Sequence, residues 1–554
     1  MGSLDCRRAA ALGVLAIAWL GVSAGSARAD ALCGDLNDSG TLTTADCDLL
    51  ADIVAGPPDR AAPCAGAATG ALQCGDLNAD GAITTADVVI CFETVAGTPP
   101  AAPLCGLVGG GPAPIACPNG TVTIASNVTG SQLWPASCRI VLDGTVFVQA
   151  GVQVAIEAGT VIQGRKNSSD GSPSALVFRR GSRIEAAGTA AAPIVFTSDQ
   201  PVGSRSKGDW GGVVLNGRAP VNVPGGEGLA EGLSSTPFGG TVPDDSSGTL
   251  RYVRIEFAGR QLTVDNELNL FTMNGVGAGT TVDHVQAHNG LDDCFEWFGG
   301  TVNAKYLAGT ACGDDGLDWQ LGYTGALQYA LVAQNVAVVE AGGNGIEADN
   351  NENGFDLQPR SDPRFCNLTL IGTRGQVGTP TGANQLGLLL RRGTAGIVAK
   401  AIVEGFHSAG VQLQHATPGC TAGPALTGAL LVRDSLFFDN GDTGAVHCSS
   451  GSGGNAPSPC NGCEFYDLVA RDYGVVPDLC GAGALGCQDQ NPAVDPGVAS
   501  AWPPLDPRPT NAAAVANGFD CSTLDPFLEA TSYLGGFDPG TASWLAGWTD
   551  FASN

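Results

Sequence analysis

Short apolar phrases that end in Gly, Asn or Asp follow one another along the chain from about Thr121 onward. Five of them lie between positions 145 and 199, namely TVFVQAG, VQVAIEAG, ALVFRRG, SRIEAAG and APIVFTSD. Runs of this length, rich in Val, Ile and Phe and closed by turn residues, are typical of short β-strands. Their frequency predicts an all-β fold of the sandwich, propeller or solenoid kind.

A repeat within the chain favours the solenoid. The phrase LDDCFEWFGGTV (residues 291–302) aligns with GDDGLDWQLGYT (residues 313–324) at a displacement of 22 residues. Trp297 then falls on Trp319 and Glu296 on Asp318, and NGIEADN (residues 344–350) continues the acidic column with Glu347. Stacked coils bring such equivalent residues to a spacing of about 4.8 Å. We therefore expect a right-handed parallel β-helix.

The β-helix is predicted to occupy residues 141–447. A single coil cannot bury its own apolar face, so each coil depends on its neighbours and the two ends need covers. Residues 107–140 are predicted to form a linker and an N-terminal cap. Residues 448–554, which are rich in Cys and Pro, are predicted to close the other end.

The N-terminus has the features of a signal peptide. Arg7 and Arg8 precede an apolar run over residues 9–22, and Ala-Arg-Ala at 27–29 is a cleavage motif. The run is too short for a comfortable membrane span. We expect residues 1–29 to be removed near Ala29, and the mature chain to be secreted or held at the cell surface.

Composition fits an extracellular protein. Of the 19 cysteines, Cys6 leaves with the signal peptide, and the even number that remains predicts disulfides. The chain has 54 acidic and 26 basic residues, a formal net charge of −28, and 81 glycines. Such a charge repels nucleic acid and anionic membranes and suits an extracellular protein that binds calcium. The high glycine content makes long helices improbable.

Two short stretches, residues 34–50 and 75–89, have the oxygen spacing of EF-hand-type calcium loops. Each has side-chain oxygens at loop positions 1, 3, 5, 9 and 12 and a glycine (Gly40 or Gly81) at position 6. A polar turn would not require this spacing, so it predicts two calcium sites. The predicted ligands are Asp35, Asn37, Ser39, Thr43 and Asp46 in the first loop, and Asp76, Asn78, Asp80, Thr84 and Asp87 in the second.

The duplicated loops, each followed by one apolar helix, resemble a dockerin module over residues 30–106. The resemblance implies a small α-helical, calcium-binding module that docks the protein to a cohesin-like partner. Most of the remaining chain is similar to a family of exported bacterial β-helix proteins, which implies the fold and the export. The phrases that carry this second resemblance lie at residues 157–164, 188–198, 208–222, 249–259, 298–307 and 544–551.

The acidic column of the predicted β-helix has three open interpretations. If Phe295 and Trp297 point inward, Glu296 points outward together with its equivalents Asp318 and Glu347. Like charges one strand apart are destabilising, so the column needs compensation. It can be a solvated acidic face, a catalytic carboxyl pair, or the site of a bound cation, for which calcium fits best. The candidate cation ligands are Asp292, Asp314 and Glu347.

The catalytic interpretation rests on Glu296 and Asp318. The D-x-x-x-D spacing of Asp314 and Asp318, with Asp283-His284 a coil earlier, loosely resembles pectate lyases. That resemblance implies calcium on one face and an arginine base, so Arg391 and Arg392 become candidate substrate-binding residues. Hydrolysis is the other possibility, since two acids about 5 Å apart suit a retaining glycosidase.

Two functions follow from these patterns. The favoured one is a non-enzymatic exported protein in which a calcium-binding docking module joins a β-helix that binds glycans or other surface material. The alternative is a calcium-dependent polysaccharide lyase or glycoside hydrolase that acts through the acidic face. The sequence does not decide whether the protein is an enzyme.

Overall fold

The computed structural model describes residues 112–554, apart from 234, 264–265, 379–384, 414–428, 442–445, 450–461, 466–468, 475–493, 499–501 and 504–505. The signal peptide and the dockerin-like module, with all of its predicted calcium ligands, lie outside the described residues. The prediction of a small α-helical module therefore stays a prediction.

The described residues are organised almost entirely as β-strands. They form no α-helix, and their two 3₁₀ helices are Pro118–Gly120 and Cys521–Thr523. No helix in this part of the chain has the length and apolar character that a bilayer span requires. In chain order the strands are β1 (Thr121–Ile124), β2 (Gln132–Trp134), β3 (Arg139–Leu142), β4 (Thr145–Val148), β5 (Gln153–Ile156), β6 (Val161–Gly164), β7 (Ala175–Phe178), β8 (Arg183–Ala187), β9 (Ile194–Ser198), β10 (Val213–Asn216), β11 (Gly228–Leu229), β12 (Pro237–Phe238), β13 (Gly248–Glu256), β14 (Arg260–Thr263), β15 (Asn266–Leu268), β16 (Phe271–Asn274), β17 (Thr281–His288), β18 (Phe295–Phe298), β19 (Ala304–Thr310), β20 (Leu317–Gln320), β21 (Ala326–Ala333), β22 (Ile346–Ala348), β23 (Arg364–Ile371), β24 (Leu386–Leu390), β25 (Gly396–Ala399), β26 (Ile402–Glu404), β27 (Ala409–Leu413), β28 (Leu430–Phe438), β29 (Val446–Ser449), β30 (Gly462–Phe465) and β31 (Val469–Gly474).

Strands from successive coils stack in parallel, as a β-helix requires. One sheet has the order β4-β7-β10-β16-β18-β20-β22-β24-β27, continued by β30 and β29, and we call it the site sheet. The second sheet contains β13, β17, β19, β21, β23 and β28 among its sixteen strands, and we call it the bent sheet. Among the described strands, antiparallel pairing is confined to the hairpins β11–β12 and β14–β15 and to the pairings of β29, β30 and β31. The all-β, parallel-stranded prediction is confirmed.

The predicted register is also confirmed. Glu296 pairs with Asp318 and Trp297 with Trp319 between β18 and β20, and Asp318 pairs with Glu347 between β20 and β22. Both tryptophans point inward and are at most 1% exposed. Trp297 stacks on Tyr323 at 5.3 Å between ring centroids, so these rings are core and not a sugar platform.

Strands of the bent sheet change direction at one residue of each coil. Tyr252, His284 and Tyr306 occupy this position in three successive coils with φ near +50° to +60°. Such a φ is unfavourable for bulky side chains, and stacking of the rings offsets part of the cost. The ring centroids are 4.3 Å apart between Tyr252 and His284 and again between His284 and Tyr306.

Residues 506–554 lie along the outside of the bent sheet and contact several of its coils. Lys400 Nζ donates to Thr531 O at 2.5 Å, while Gln286, several coils earlier, donates to Asp550 O at 2.6 Å. A disulfide between Cys366 and Cys521 fixes the segment to the coils. The prediction of disulfides is thus confirmed in the described chain, where the other bonds are Cys117–Cys138 and Cys294–Cys312.

Candidate functional site

The acidic column lies on the outer side of the site sheet, as strand alternation predicted, but it is not solvated. Phe295 and Trp297 are in the core, whereas Glu296 points to the other side of β18. Even so, Glu296 is only 4% exposed and Asp318 only 8%. The interpretation of a solvated acidic face is therefore wrong for these two residues.

A second acidic column lies at the turn that precedes the strands of the site sheet. Asp293 Oδ1 accepts a hydrogen bond from the backbone N–H of Asp315 at 2.8 Å. Asp315 Oδ1 accepts one from Asn344 N, and Asn344 Oδ1 accepts one from Leu386 N at 3.1 Å. Each coil thus supplies one side-chain oxygen to the next, and an amide serves as well as a carboxylate. The second carboxyl oxygens of Asp293 and Asp315 are not needed for this ladder.

The carboxyl groups of the two columns approach one another and their neighbours Asp292 and Asp314 closely. We call this set, which consists of Asp292, Asp293, Glu296, Asp314, Asp315, Asp318 and Glu347, the acidic rungs. In the part of the chain that the structure describes, three groups of three residues have carboxyl oxygens within 4.8 Å of one another. The groups are Asp292–Asp293–Asp314, Asp293–Glu296–Asp318 and Asp315–Asp318–Glu347. The three predicted cation ligands are therefore divided, with Asp292 and Asp314 in the first group and Glu347 in the third. Asp293 and Asp315 were not among the predicted ligands, although the repeated Asp-Asp pair was their signal.

One oxygen in the acidic rungs has no partner. Asn269 Nδ2 and Gln320 Nε2 both donate to Glu296, the second at 3.0 Å. Asp318 Oδ1, in contrast, is buried and has no hydrogen-bond partner in the described chain. A buried carboxylate oxygen without a donor is costly, so a bound cation or a proton is expected beside it.

Burial and mutual repulsion make the acidic rungs hard to ionise. Burial first, and neighbouring carboxyl groups second, raise the pKa values of Asp293, Glu296 and Asp318 well above the usual range. Burial in the same way raises the pKa of Asp314 to about 6. A positive ion among them would favour the charged forms.

The arginines predicted to bind substrate are already engaged with carboxylates. Arg391 forms ion pairs with Glu347 and with Asp349, the latter at 2.9 Å. Arg392 Nη1 lies 2.7 Å from Asp349 Oδ2. Arg391 thus neutralises the end of the acidic rungs at Glu347, whereas no ion pair joins Glu296 or Asp318 to a basic side chain among the described residues.

Comparison with known families agrees with this architecture. A family model described as the pectate-lyase-like β-helix domain matches residues 126–443. The chain belongs to this family. Neither the curated proteins nor the solved structures contain a match. Membership of the pectate-lyase-like β-helix family suggests a polysaccharide-related role.

One predicted feature of lyase type is not part of the site. Asp283 and His284 lie on β17 of the bent sheet, not on the site sheet. The His284 ring stacks between Tyr252 and Tyr306, and Trp548 of the C-terminal segment lies 5.7 Å from it. This pair therefore does not join Asp314 and Asp318 in one constellation.

A groove opens beside the acidic rungs of the pectate-lyase-like β-helix. It has a volume of about 460 Å³ and is lined by the hairpin β11–β12 with its flanks and by the chain that follows β18, β20, β22 and β24. Gln320 lines the groove and also donates to Glu296, so the two features are adjacent. We call this cavity the hairpin groove. The repeat gives no signal for this groove, because the hairpin belongs to an insertion between β10 and β13 that has no repeat.

Proposed function

We propose that this protein is exported, binds calcium, and uses its β-helix to bind polysaccharide without cleaving it. The observation that carries the proposal is the burial of Glu296 and Asp318. A catalytic acid or base must come within hydrogen-bonding reach of the group it protonates or deprotonates. Carboxyl groups that are 4% and 8% exposed do not meet a polysaccharide chain at the surface.

Calcium fits the acidic rungs better than a catalytic role does. The donors are all carboxylate oxygens, the ligands that hard cations prefer, and Asp318 takes part in two of the three acidic groups. An ion beside Asp318 Oδ1 would supply the missing partner and offset the repulsion between coils. Asp293, Glu296 and Asp318 would hold it, with Asp315 and Glu347 as a neighbouring set. Calcium would thus stabilise the stacked coils.

The N-terminal module completes the proposed function. The oxygen spacing of the two EF-hand-type loops supports calcium binding over residues 30–106, and the dockerin resemblance supports docking to a cohesin-like protein. The signal-peptide pattern supports export. The β-helix would then present polysaccharide-binding surface at the place where the module is anchored.

Cleavage is the second candidate function, because the carboxyl groups of Glu296 and Asp318 lie close together. Carboxyl oxygens of Glu296 and Asp318 lie within 4.8 Å of each other, near the separation of about 5 Å that retaining glycosidases use. Either hydrolysis or a calcium-dependent lyase reaction would require the residues that bury Glu296 and Asp318 to move aside.

One experiment separates binding from cleavage. The full chain is incubated with a panel of acidic and neutral polysaccharides, in calcium or in chelator, and both bound protein and new chain ends are measured. We expect binding to at least one polysaccharide and no new chain ends. Chain ends that appear with the wild type and disappear in Glu296→Gln and Asp318→Asn would establish cleavage. Absence of binding throughout the panel would refute the binding function.

A further inference from the structure

Part of the lining of the hairpin groove is apolar. Leu229 and Leu321 line it from opposite elements, and the Phe298 ring lies between the groove and the cluster beneath the hairpin. Leu229 is 60% exposed, which is unusual for a leucine in the described chain. Leaving a large apolar side chain in water forgoes the free energy of burial, so a ligand that covers it gains that free energy.

The rest of the lining includes amide and carboxyl groups, several of which the fold holds in place. Asn351 Nδ2 donates to Asn222 Oδ1 at 3.0 Å, and Asn351 Oδ1 accepts from Asn353 N at 2.8 Å. Gln320 is fixed by its bond to Glu296. Glu231 and Glu352 add carboxylate acceptors to the lining. Asn351 donates both of its side-chain N–H groups inside the fold, so a ligand would meet the second N–H of Gln320 and the carboxyl oxygens of Glu231 and Glu352. Such groups are suited to a ligand rich in hydroxyl groups, since a donor and several acceptors are offered.

The charge of the groove disfavours an acidic ligand. Its one basic side chain, Arg392, is already paired with Asp349 at 2.7 Å and lies 3.8 Å from Glu352. Glu231 and Glu352 line the groove, and burial first, with repulsion from Glu267 and Glu352, raises the pKa of Glu231 to about 7. A uronate carboxylate placed here would meet like charges and no free cation among the lining residues.

We propose that the hairpin groove binds an uncharged sugar residue of a polysaccharide, with the ring face on Leu229 and the hydroxyl groups on the amide and carboxyl groups of the lining. The inference rests on the proposed polysaccharide-binding function and names its site and ligand class. The groove volume of about 460 Å³ lies within the usual range for small-ligand sites.

The test uses a matched pair of probes, fully methyl-esterified polygalacturonate and its de-esterified form, which share a backbone and differ in charge, together with a neutral galactan. Affinities are measured for the full chain by titration calorimetry in calcium. We expect at least one of the neutral probes to bind, and the de-esterified form to bind about tenfold more weakly than its ester, as expected for one uncompensated charge contact.

Surface variants locate the binding. Leu229→Ser should weaken binding of the neutral probe by about tenfold, the usual effect of losing an apolar contact in a pocket. Glu352→Gln removes one negative charge, so it should reduce the difference in affinity between the esterified and the de-esterified probe. The matched control is Val377→Ser, because Val377 is 99% exposed and lies outside the groove.

Two results overturn the inference while polysaccharide binding itself stands. One is equal or tighter binding of the de-esterified probe, and the other is binding that Leu229→Ser leaves unchanged or that Val377→Ser weakens as much. Failure of every probe and of every polysaccharide in the wider panel would instead remove the proposed function, and the inference with it.

Discussion

Asp293 Oδ1 accepts a hydrogen bond from the backbone N–H of Asp315, its equivalent one coil later, at 2.8 Å. The next coil continues the same ladder with Asn344, whose amide oxygen performs the same task. An amide would therefore satisfy the fold at both aspartates. A carboxyl oxygen of Asp293 approaches Glu296 and Asp318, and one of Asp315 approaches Asp318 and Glu347, and this surplus of charge is the physical basis for the proposed cation.

Substitutions at Asp315 should separate the contribution of its hydrogen bond to stability from that of its negative charge. Asp315→Asn keeps an acceptor for Asn344 N and removes one carboxylate, so its free energy of unfolding in chelator should equal or exceed that of the wild type. Asp315→Ala leaves that buried N–H without an acceptor and should lose about 1–3 kcal/mol. Denaturant unfolding measures both values. Equal losses in the two variants would show that the hydrogen bond is unimportant.

Calcium should raise the unfolding temperature of the β-helix through Asp318. The wild type should unfold at a higher temperature in calcium than in chelator, because an ion held by the assembled acidic rungs would have no such site in the unfolded chain. Asp318→Asn should lose much of this difference. Asp76→Asn, which alters a loop of the N-terminal module, is the matched control and should retain it. Scanning calorimetry measures the shifts, and an unchanged calcium response in Asp318→Asn would be contrary to the account.

Stability in chelator should fall as the pH rises from about 4.5 to about 7. Burial raises the pKa of Glu231 from 4.5 to about 7, so in this window the folded protein holds a proton that the unfolded chain has lost. The stabilisation is complete below the lower value and absent above the upper one. Buried carboxyl groups of the acidic rungs act in the same direction. Glu231→Gln should reduce the slope, as urea unfolding at several pH values would reveal, whereas an unchanged or steeper slope would contradict the assignment.

Trp319 should be a major contributor to the core of the stacked coils. Its ring packs on Phe365 at 4.9 Å, and its Nε1 donates to Thr394 Oγ1 at 3.0 Å. Trp319→Ala should cost about 3–5 kcal/mol of unfolding free energy. Trp319→Phe keeps most of the apolar contact and should cost less. Denaturant unfolding compares the two variants, and a similar small cost for both would argue against tight packing.

The register of the site sheet could be predicted because the repeat is visible in the amino-acid sequence. Trp297 and Trp319 recur at one displacement, and strand alternation then sends Glu296 and Asp318 to the outer side. The burial of those two acids could not be predicted in this way. The repeat predicts which side of a strand each residue faces. It does not predict whether residues outside the repeat bury that side.

Two other structural features could not be predicted from the sequence. The bond between Cys366 and Cys521 joins residues 155 positions apart, and cysteine spacing alone does not fix such a pairing. The bend of the bent sheet occurs at Tyr252 and His284, where glycine, the usual signal for a positive φ, is absent. Stacking of side chains between coils stabilises these positions, and that contact exists only once the coils are assembled.

The acidic rungs are proposed to hold a cation. Calcium content per chain is measured by plasma mass spectrometry, after removal of free ions, in wild type, Asp318→Asn and the exposed control Asp356→Asn. We expect Asp318→Asn to contain about one ion fewer than the other two proteins. Equal calcium content in all three proteins would show that Asp318 holds no ion.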